Sequence, residues 1–168
     1  MTFTLAFLLL TTFASALSAG LFYTYHWTAM PGLNAIEPMA AINAMKSINV
    51  VILNPVFAFS FFGTLLFGAV TALLYFWSVR SAAFCVWAGF LLYAVGTFGV
   101  TIMFNVPLNN QLAASTPTAA TSATIWREFY DPWMYWNLIR TLAAIAAFIL
   151  FLAAVWLEGV ESGRAAPR

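Results

Sequence analysis

The chain has 168 residues, of which 64% are hydrophobic and 7% are charged, and its formal net charge is +1. A soluble domain carries about 25% charged residues, so this chain has too few charges to cover a water-exposed surface. The near-zero net charge also excludes the basic surface with which proteins bind nucleic acid. With Cys85 as its one cysteine, the chain has no CxxC pair, which excludes paired-thiol redox chemistry. Composition therefore predicts an integral membrane protein forming a single domain over residues 1–168.

Four apolar stretches are each long enough to cross a bilayer as a helix, which requires about 20 residues. We expect spans over residues 3–27, 54–78, 82–104 and 133–157, followed by a flexible tail over residues 158–168. No Lys or Arg precedes the first stretch, so it lacks the charged start of a cleaved signal peptide. The predicted fold class is therefore all-α, a bundle of four transmembrane helices.

The two long connections of this bundle lie on the same side, and each is expected to carry a short surface helix. In the first connection, Pro38 begins a run whose apolar residues have helical spacing. In the second, residues 106–124 are rich in Ala, Ser, Thr, Pro and Asn, which is typical of a loop. Residues 125–130 are then expected to form one or two helical turns on the membrane surface.

The few basic residues indicate how the bundle is oriented. Arg80, Arg164 and Arg168 are expected to share one side with the amino terminus. Lys46 and Arg127 belong to the other side. Because Lys and Arg are enriched in cytoplasmic segments, the sequence predicts a protein of the cell (inner) membrane with both termini in the cytoplasm.

Two spans carry a small residue at every fourth position, a pattern that lets helix backbones approach closely in a membrane. In the first span this row consists of Thr12, Ala16, Gly20, Thr24 and Thr28. In the second span it consists of Ser60, Thr64, Gly68 and Ala72. Both rows are expected to be packing faces without a chemical role.

Arg140 is the one ionisable residue expected well inside a span. At about 1.5 Å per residue it lies about 10 Å below Trp133, and a charge at the membrane centre costs about 2.5–3.5 kcal/mol. A residue of this kind marks a ligand or ion site by default. The alternative is a structural role, in which Arg140 holds helix ends together through backbone carbonyls or through Asp131 and Glu128. Both interpretations remain open from the sequence.

Helical spacing places further groups near Arg140. Asn137 lies one turn above it, and Trp136, four residues before it, is positioned to stack on the guanidinium. Three more asparagines belong to the same outward half of the bundle: Asn54, Asn105 and Asn109. We therefore predict a polar chamber in the outward half.

His26 is the only histidine and lies at the outer end of the first span. An imidazole ionises near neutral pH and suits a general base, but an interfacial histidine bonded to lipid headgroups is the alternative. Met30, one turn later, would add a second soft ligand for copper, yet two ligands do not make a site. One histidine also excludes bis-histidine haem within the chain. We therefore expect neither a metal site nor a cofactor.

Four segments, in order, carry a more specific pattern. They are Gly20-Leu-Phe-Tyr followed by Met30-Pro-Gly-Leu; Asn49 to Asn54-Pro-Val-Phe; Phe104-Asn-Val-Pro-Leu-Asn-Asn-Gln-Leu; and Trp126-x3-Tyr-x2-Trp-x2-Trp-Asn-x2-Arg140. Together they resemble the DUF1772 family, the anthrone oxygenase-like family of four-helix membrane proteins. The resemblance extends from about Gly20 through the fourth span, and its Asn-Val-Pro-Leu-Asn and Trp-Asn-x2-Arg segments are the most specific.

The resemblance implies a chemistry and a set of site residues. Characterised fungal members oxidise anthrones to anthraquinones with O₂ and without metal or flavin. The expected catalytic residues are Arg140, Asn137 and His26, although His26 is not part of the family pattern and its role rests on chemistry alone. The expected substrate-binding residues are Asn54, Asn105, Asn109, Trp126, Tyr130, Trp133 and Trp136.

Two functions of different classes follow from the sequence. The first is cofactor-independent oxygenation of a flat aromatic or phenolic, anthrone-like compound in an outward-facing polar chamber. The second is a non-catalytic membrane module that binds a lipid or quinone in that chamber or scaffolds a partner. The lipid bilayer is a partner under both hypotheses.

Overall fold

The computed structural model describes residues 3–78 and 80–165, and within these ranges every regular element is helical. We number the helices α1 (Phe3–Asn34), α2 (Pro38–Val51), α3 (Pro55–Leu74), α4 (Ser81–Ala114) and α5 (Ser122–Ala165). Helices α1, α3, α4 and α5 are long and apolar enough to cross a membrane. The all-α fold with four spans is therefore confirmed, and the chain is an integral membrane protein.

The four long helices form a closed bundle in which α1 packs on α3 and α5, and α4 packs on both as well. Helix α2, predicted to begin at Pro38, does begin there and lies across the ends of α1, α4 and α5. Its first turn is capped by Glu37, whose carboxylate accepts a hydrogen bond of 2.9 Å from the amide of Ala40. We call α2 and the adjoining ends of α1, α4 and α5 the cap.

Three helices extend beyond the boundaries expected from the sequence. Helix α1, expected to end at residue 27, continues to Asn34. Helix α4 continues to Ala114 through residues expected to form a loop. Helix α5 begins at Ser122, passes through Pro132 and reaches Ala165, so residues 158–165 are helical where a tail was expected. A proline removes one helical hydrogen bond, but Trp126, Phe129 and Trp133 on either side of Pro132 are buried in the cap. Tertiary burial therefore overrides the local stop signal.

Among the described residues, the buried apolar side chains form two separate cores. The membrane core lies among the four long helices and includes Leu8, Phe22, Phe61, Tyr93 and Phe151. The cap core joins α2 to the ends of its neighbours and consists of Met30, Ala41, Ile42, Met45, Leu112, Trp126, Phe129 and Trp133. Burying this apolar face fixes α2 against the bundle.

Hydroxyl groups link the long helices inside the membrane core. The Ser18 and Tyr93 hydroxyls are 2.8 Å apart, and Tyr93 also donates to the carbonyl of Phe61 at 3.0 Å. The Thr11 and Thr71 hydroxyls are 2.9 Å apart. Interhelical hydrogen bonds of this kind are a recognised source of helix association in membranes.

The expected row of small residues is a packing face in α3 but not in α1. All four members of the α3 row are buried. In α1, Thr12 is buried, but Gly20, Thr24 and Thr28 are exposed, so that prediction is wrong. Each step of four residues turns about 40° around a helix of 3.6 residues per turn, so a row of five positions rotates away from the neighbouring helix.

The end of the bundle opposite the cap is held by charged groups. The Arg80 guanidinium donates to a carboxylate oxygen of Glu158 and lies 3.9 Å from one of Glu161. Burial, and then the nearby Glu158 carboxylate, raises the pKa of the Tyr75 hydroxyl. Lys46 is on α2 in the cap and Arg127 lies near the start of α5, at the end opposite Arg80. The amino terminus, Arg168 and the side chain of Arg164 lie outside the described residues.

Candidate functional site

A cavity of about 390 Å³ lies between the membrane core and the cap. Its apolar wall combines aliphatic and aromatic side chains and includes Phe22, Phe57, Phe61, Phe62, Ile102 and Trp133. Its polar lining residues come from α1, α2, α4 and α5, and they are Tyr25, Lys46, Asn49, Thr101, Asn109, Asn110 and Arg140. Within the described chain no Asp or Glu is a lining residue. Most of the cavity wall is therefore apolar, and two of its lining side chains, Lys46 and Arg140, are cationic.

Two of the polar lining residues lie in π-helical turns, where the backbone is wider than in an α-helix. Tyr25 begins the π segment Tyr25–Ala29 in α1, and Thr101 begins the segment Thr101–Asn105 in α4. Such turns are uncommon and often occur at functional sites. In this protein both π-helical turns begin at a residue that lines the cavity.

Arg140 lines the cavity and is only 6% exposed. Its Nε donates to Oδ1 of Asn137 at 2.8 Å, and one terminal nitrogen donates to the Thr101 hydroxyl at 3.3 Å. Its Cζ lies 4.5 Å from the ring centroid of Phe22 and 4.8 Å from that of Trp133. Cation–π contacts with desolvated rings are worth up to about 2 kcal/mol, which offsets part of the cost of burying the charge.

No carboxylate among the described residues pairs with Arg140; the ion pairs there belong to Arg80. Asp131 and Glu128, the carboxylates considered from the sequence, make no ion pair with it. Two of its five N–H donors are used by Asn137 and Thr101. Arg140 is thus a buried cation whose counter-charge the described residues do not supply.

Asn137 holds Arg140 in place and does not itself line the cavity. It is fully buried, and its Nδ2 donates to the carbonyl of Phe22 at 3.4 Å while its Oδ1 accepts from Arg140. Thr97 on α4 donates to the Arg140 carbonyl at 3.2 Å. The arginine is therefore fixed by contacts from α1, α4 and its own helix.

The predicted stacking of Trp136 on Arg140 is wrong. Trp136 stacks on Phe104 instead, with ring centroids 3.6 Å apart and an interplanar angle of 6°. The ring that contacts Arg140 is Trp133, seven residues earlier. Long helical side chains lean toward the helix N-terminus, so the guanidinium reaches two turns back rather than one.

Asn105 and Asn109 both hold Trp133. Trp133 donates from its indole nitrogen to Oδ1 of Asn109 at 2.9 Å, and its carbonyl accepts from Nδ2 of Asn105 at 3.2 Å. Of these two asparagines, Asn109 lines the cavity, whereas Asn105 is fully buried behind it. The pair fixes the orientation of the ring that covers Arg140.

The remaining residues predicted for the site lie outside the cavity lining. Asn54 caps α3, where its Oδ1 accepts from the amides of Val56 and Phe57, each at 3.0 Å. Trp126 donates to Oδ1 of Asn34 at 2.9 Å. Tyr130 packs on Trp126 with ring centroids 5.7 Å apart. Asn54 therefore stabilises the start of α3, whereas Trp126 and Tyr130 belong to the packing of the cap.

His26 is also absent from the lining. It is 9% exposed, its ring packs edge-on against Trp27 with centroids 4.5 Å apart, and its Nδ1 has no hydrogen-bond partner among the described residues. Over residues 3–78 and 80–165, no three His, Cys, Asp or Glu side chains are grouped closely enough to hold a metal ion.

Lys46 and Asn49 were not predicted to be site residues, although both line the cavity from α2. Lys46 Nζ donates to the carbonyl of Ser115 at 2.7 Å. The helical spacing of Ile42, Met45 and Asn49 was a signal for α2 itself, but it did not indicate which face α2 turns toward the bundle. Only the docking of α2 decides this.

Helices α3 and α4, which both contribute lining residues, leave a gap beside the cavity. The backbones of these helices approach each other along Ser81–Gly99 but, over the described residues, not along Thr101–Ala114. Four apolar lining residues around this gap are exposed, namely Val50, Leu53, Phe62 and Ile102. The gap therefore has an apolar rim.

About half of the residues that line the cavity belong to the part of the chain that matches a known family. The sequence profile of the family described as anthrone oxygenase matches residues 56–150, more than half of the chain. Comparisons with curated proteins and with solved structures find no match. The matched region includes Phe57, Thr101, Asn109, Trp133 and Arg140 of the cavity wall. The chain belongs to the anthrone oxygenase family.

Proposed function

We propose that this protein is a cofactor-independent oxygenase that oxidises a flat phenolic or anthrone-like compound in the cavity beneath the cap. The observation that carries the proposal is Arg140, a buried cation with no carboxylate partner among the described residues, in a mostly apolar cavity with several aromatic rings. The volume of about 390 Å³ falls within the range of about 300–1,000 Å³ that is typical of small-molecule sites. Membership of the anthrone oxygenase family supports the same class of substrate.

The proposed reaction uses O₂ as the only oxidant. The methylene carbon of the anthrone loses a proton, and the resulting anion carries much of its charge on the carbonyl oxygen. This anion passes one electron to O₂, and the two radicals combine to form a C–O bond. The resulting peroxide anion takes up a proton to become a hydroperoxide. The hydroperoxide then loses water as its remaining C–H bond and its O–O bond break, which gives the quinone. One anthrone and one O₂ thus yield one anthraquinone and one water.

Each part of the site would contribute to this reaction in a different way. The Arg140 guanidinium would stabilise the oxyanion as it forms, which favours loss of the carbon-bound proton. Phe22, Phe61 and Trp133 would hold the flat ring system. Asn137 would act as a positioning residue through its bond to Arg140 Nε. His26 does not line the cavity, so the proposal assigns proton removal to water or hydroxide rather than to its imidazole.

We further propose that the cap faces the exterior of the cell membrane, with Arg80 on the cytoplasmic side. The bias of Lys and Arg toward cytoplasmic segments supports this orientation. An apolar substrate dissolved in the bilayer would then enter through the gap between α3 and α4, whose exposed rim is apolar.

The proposal is tested with purified protein in nanodiscs supplied with anthrone and O₂. We expect anthraquinone formation and O₂ consumption in a 1:1 ratio, above the rate of spontaneous oxidation and unaffected by a metal chelator. Arg140→Leu should lose this activity, whereas Arg127→Leu, an exposed position on the same helix, should keep it. A rate no higher than that of empty nanodiscs would refute the proposal.

A second candidate function is a non-catalytic module that binds a quinone or lipid in the same cavity. The apolar rim formed by Val50, Leu53, Phe62 and Ile102 favours it, because it suits an occupant drawn from the bilayer. Arg140-dependent binding of anthraquinone without any turnover of anthrone would support this function instead.

A further inference from the structure

Lys46 and Asn49 form a second polar group in the cavity, contributed by the cap. Both lie on α2, and the residues next to them, Met45 and Val50, also line the cavity. Positions 45, 46, 49 and 50 share one face of a helix. The cap therefore presents a cation and an amide together to the cavity, while Arg140 is presented by the transmembrane helix α5.

The Asn49 side chain has an unused donor. Its Nδ2 is buried and has no hydrogen-bond partner among the described residues. Buried polar atoms are almost always paired, and leaving one unpaired destabilises the protein. An orphaned amide in a cavity wall indicates an acceptor that arrives with the ligand.

Lys46, three residues before Asn49 and thus on the same helix face, supplies the charge. Its Nζ donates one hydrogen bond, to the carbonyl of Ser115 at 2.7 Å, and an ammonium has three N–H donors. The bond to Ser115 fixes the side chain between α2 and the end of α4. No Asp or Glu is among the described lining residues, so the wall of the cavity supplies no carboxylate partner for Lys46 or Arg140.

We infer that the ligand of this cavity is an aromatic acid, a flat ring system carrying a carboxylate that Lys46 and Asn49 bind at the cap. The ring oxygen would face Arg140 in the bundle, and the aromatic wall between the two cations would hold the rings. This inference rests on the proposed function for the identity of the ring system. Lys46 and Asn49 are then specificity-determining residues, since they select ring systems that carry an acid group.

The test compares two non-reacting ligands, anthraquinone and anthraquinone-2-carboxylate, in nanodiscs of zwitterionic lipid. Binding is followed by quenching of tryptophan fluorescence, because Trp133 lines the cavity. The full-length protein should bind the carboxylate more tightly than the parent quinone. Lys46→Met should raise the Kd of the carboxylate about 10-fold or more, the size expected for a lost charged hydrogen bond, and should leave the Kd of anthraquinone unchanged.

Matched variants separate a specific effect from a general one. Asn49→Leu should weaken binding of the carboxylate alone, whereas Asn43→Leu, exposed on the same helix, should change neither Kd. Lys46→Arg should restore part of the selectivity, because it keeps the charge. The unchanged Kd of anthraquinone reports that the cavity of each variant is intact.

The outcomes for the two proposals are distinct. Equal binding of the two ligands by the unaltered protein, or an equal loss of both in Lys46→Met, would overturn the aromatic-acid inference. Lys46-dependent selectivity without any oxidation of anthrone would support this inference and contradict the proposed oxygenase function alone.

Discussion

Replacing Arg140 by leucine separates a ligand-binding role for this arginine from a structural one. Arg140→Leu removes a buried charge whose cost is about 2.5–3.5 kcal/mol at the membrane centre. It leaves Oδ1 of Asn137 without its donor, which costs about 1–3 kcal/mol. The Thr101 hydroxyl remains paired, because it also donates to the carbonyl of Thr97 at 2.7 Å. The opposing effects nearly cancel, so the free energy of unfolding should change by less than about 2 kcal/mol.

Ligand binding should respond much more strongly than stability. A hydrogen bond to a charged group contributes about 1.5–3 kcal/mol, which corresponds to about a 10- to 150-fold change in Kd. Arg140→Lys should recover part of this loss, since it restores a point charge but not the planar set of five donors. Asn137→Ala should weaken binding less than Arg140→Leu, because it frees the guanidinium without removing it.

The measurements are unfolding by SDS titration in mixed micelles and anthraquinone binding in nanodiscs, both with Arg127→Leu as the control. If Arg140→Leu lost more than about 3 kcal/mol of unfolding free energy, beyond the cost of one orphaned acceptor, Arg140 would be a structural residue. Unchanged stability together with unchanged binding would contradict both roles.

Two further predictions concern packing and orientation. Gly96→Ala should lower the unfolding free energy by about 1–3 kcal/mol, because the new Cβ would lie 2.6 Å from that of Ala143. The control Gly20→Ala, whose new Cβ would have no neighbour within 4 Å, should not lower it. Equal effects of the two substitutions would contradict the close approach of α4 and α5. In a Cys85→Ser background, an impermeant maleimide added to intact cells should label Arg127→Cys and spare Arg80→Cys; the reverse pattern would invert the proposed topology.

The sequence predicts the four spans because a membrane helix depends mainly on its own composition and length. Each satisfies its own backbone hydrogen bonds in lipid, so the apolar stretches in α1, α3, α4 and α5 are recognisable without knowledge of the tertiary fold. The start of α2 at Pro38 is local in the same way. Helix ends were predicted less well, because the burial of Trp126 and Phe129 in the cap carries α5 through Pro132.

The sequence by itself also identified Arg140 as a candidate site residue. A single charged residue in an apolar span is recognisable whichever way the helix faces in the bundle. Only the tertiary structure decided which groups surround it. Trp133 rather than Trp136 covers its guanidinium. Lys46 and Asn49 line the same cavity, although they lie on α2, far from Arg140 in the chain. Helical periodicity specifies which residues share a face of a helix. Which faces meet depends on the direction of long side chains and on the docking of α2, and both depend on packing between distant segments of the chain.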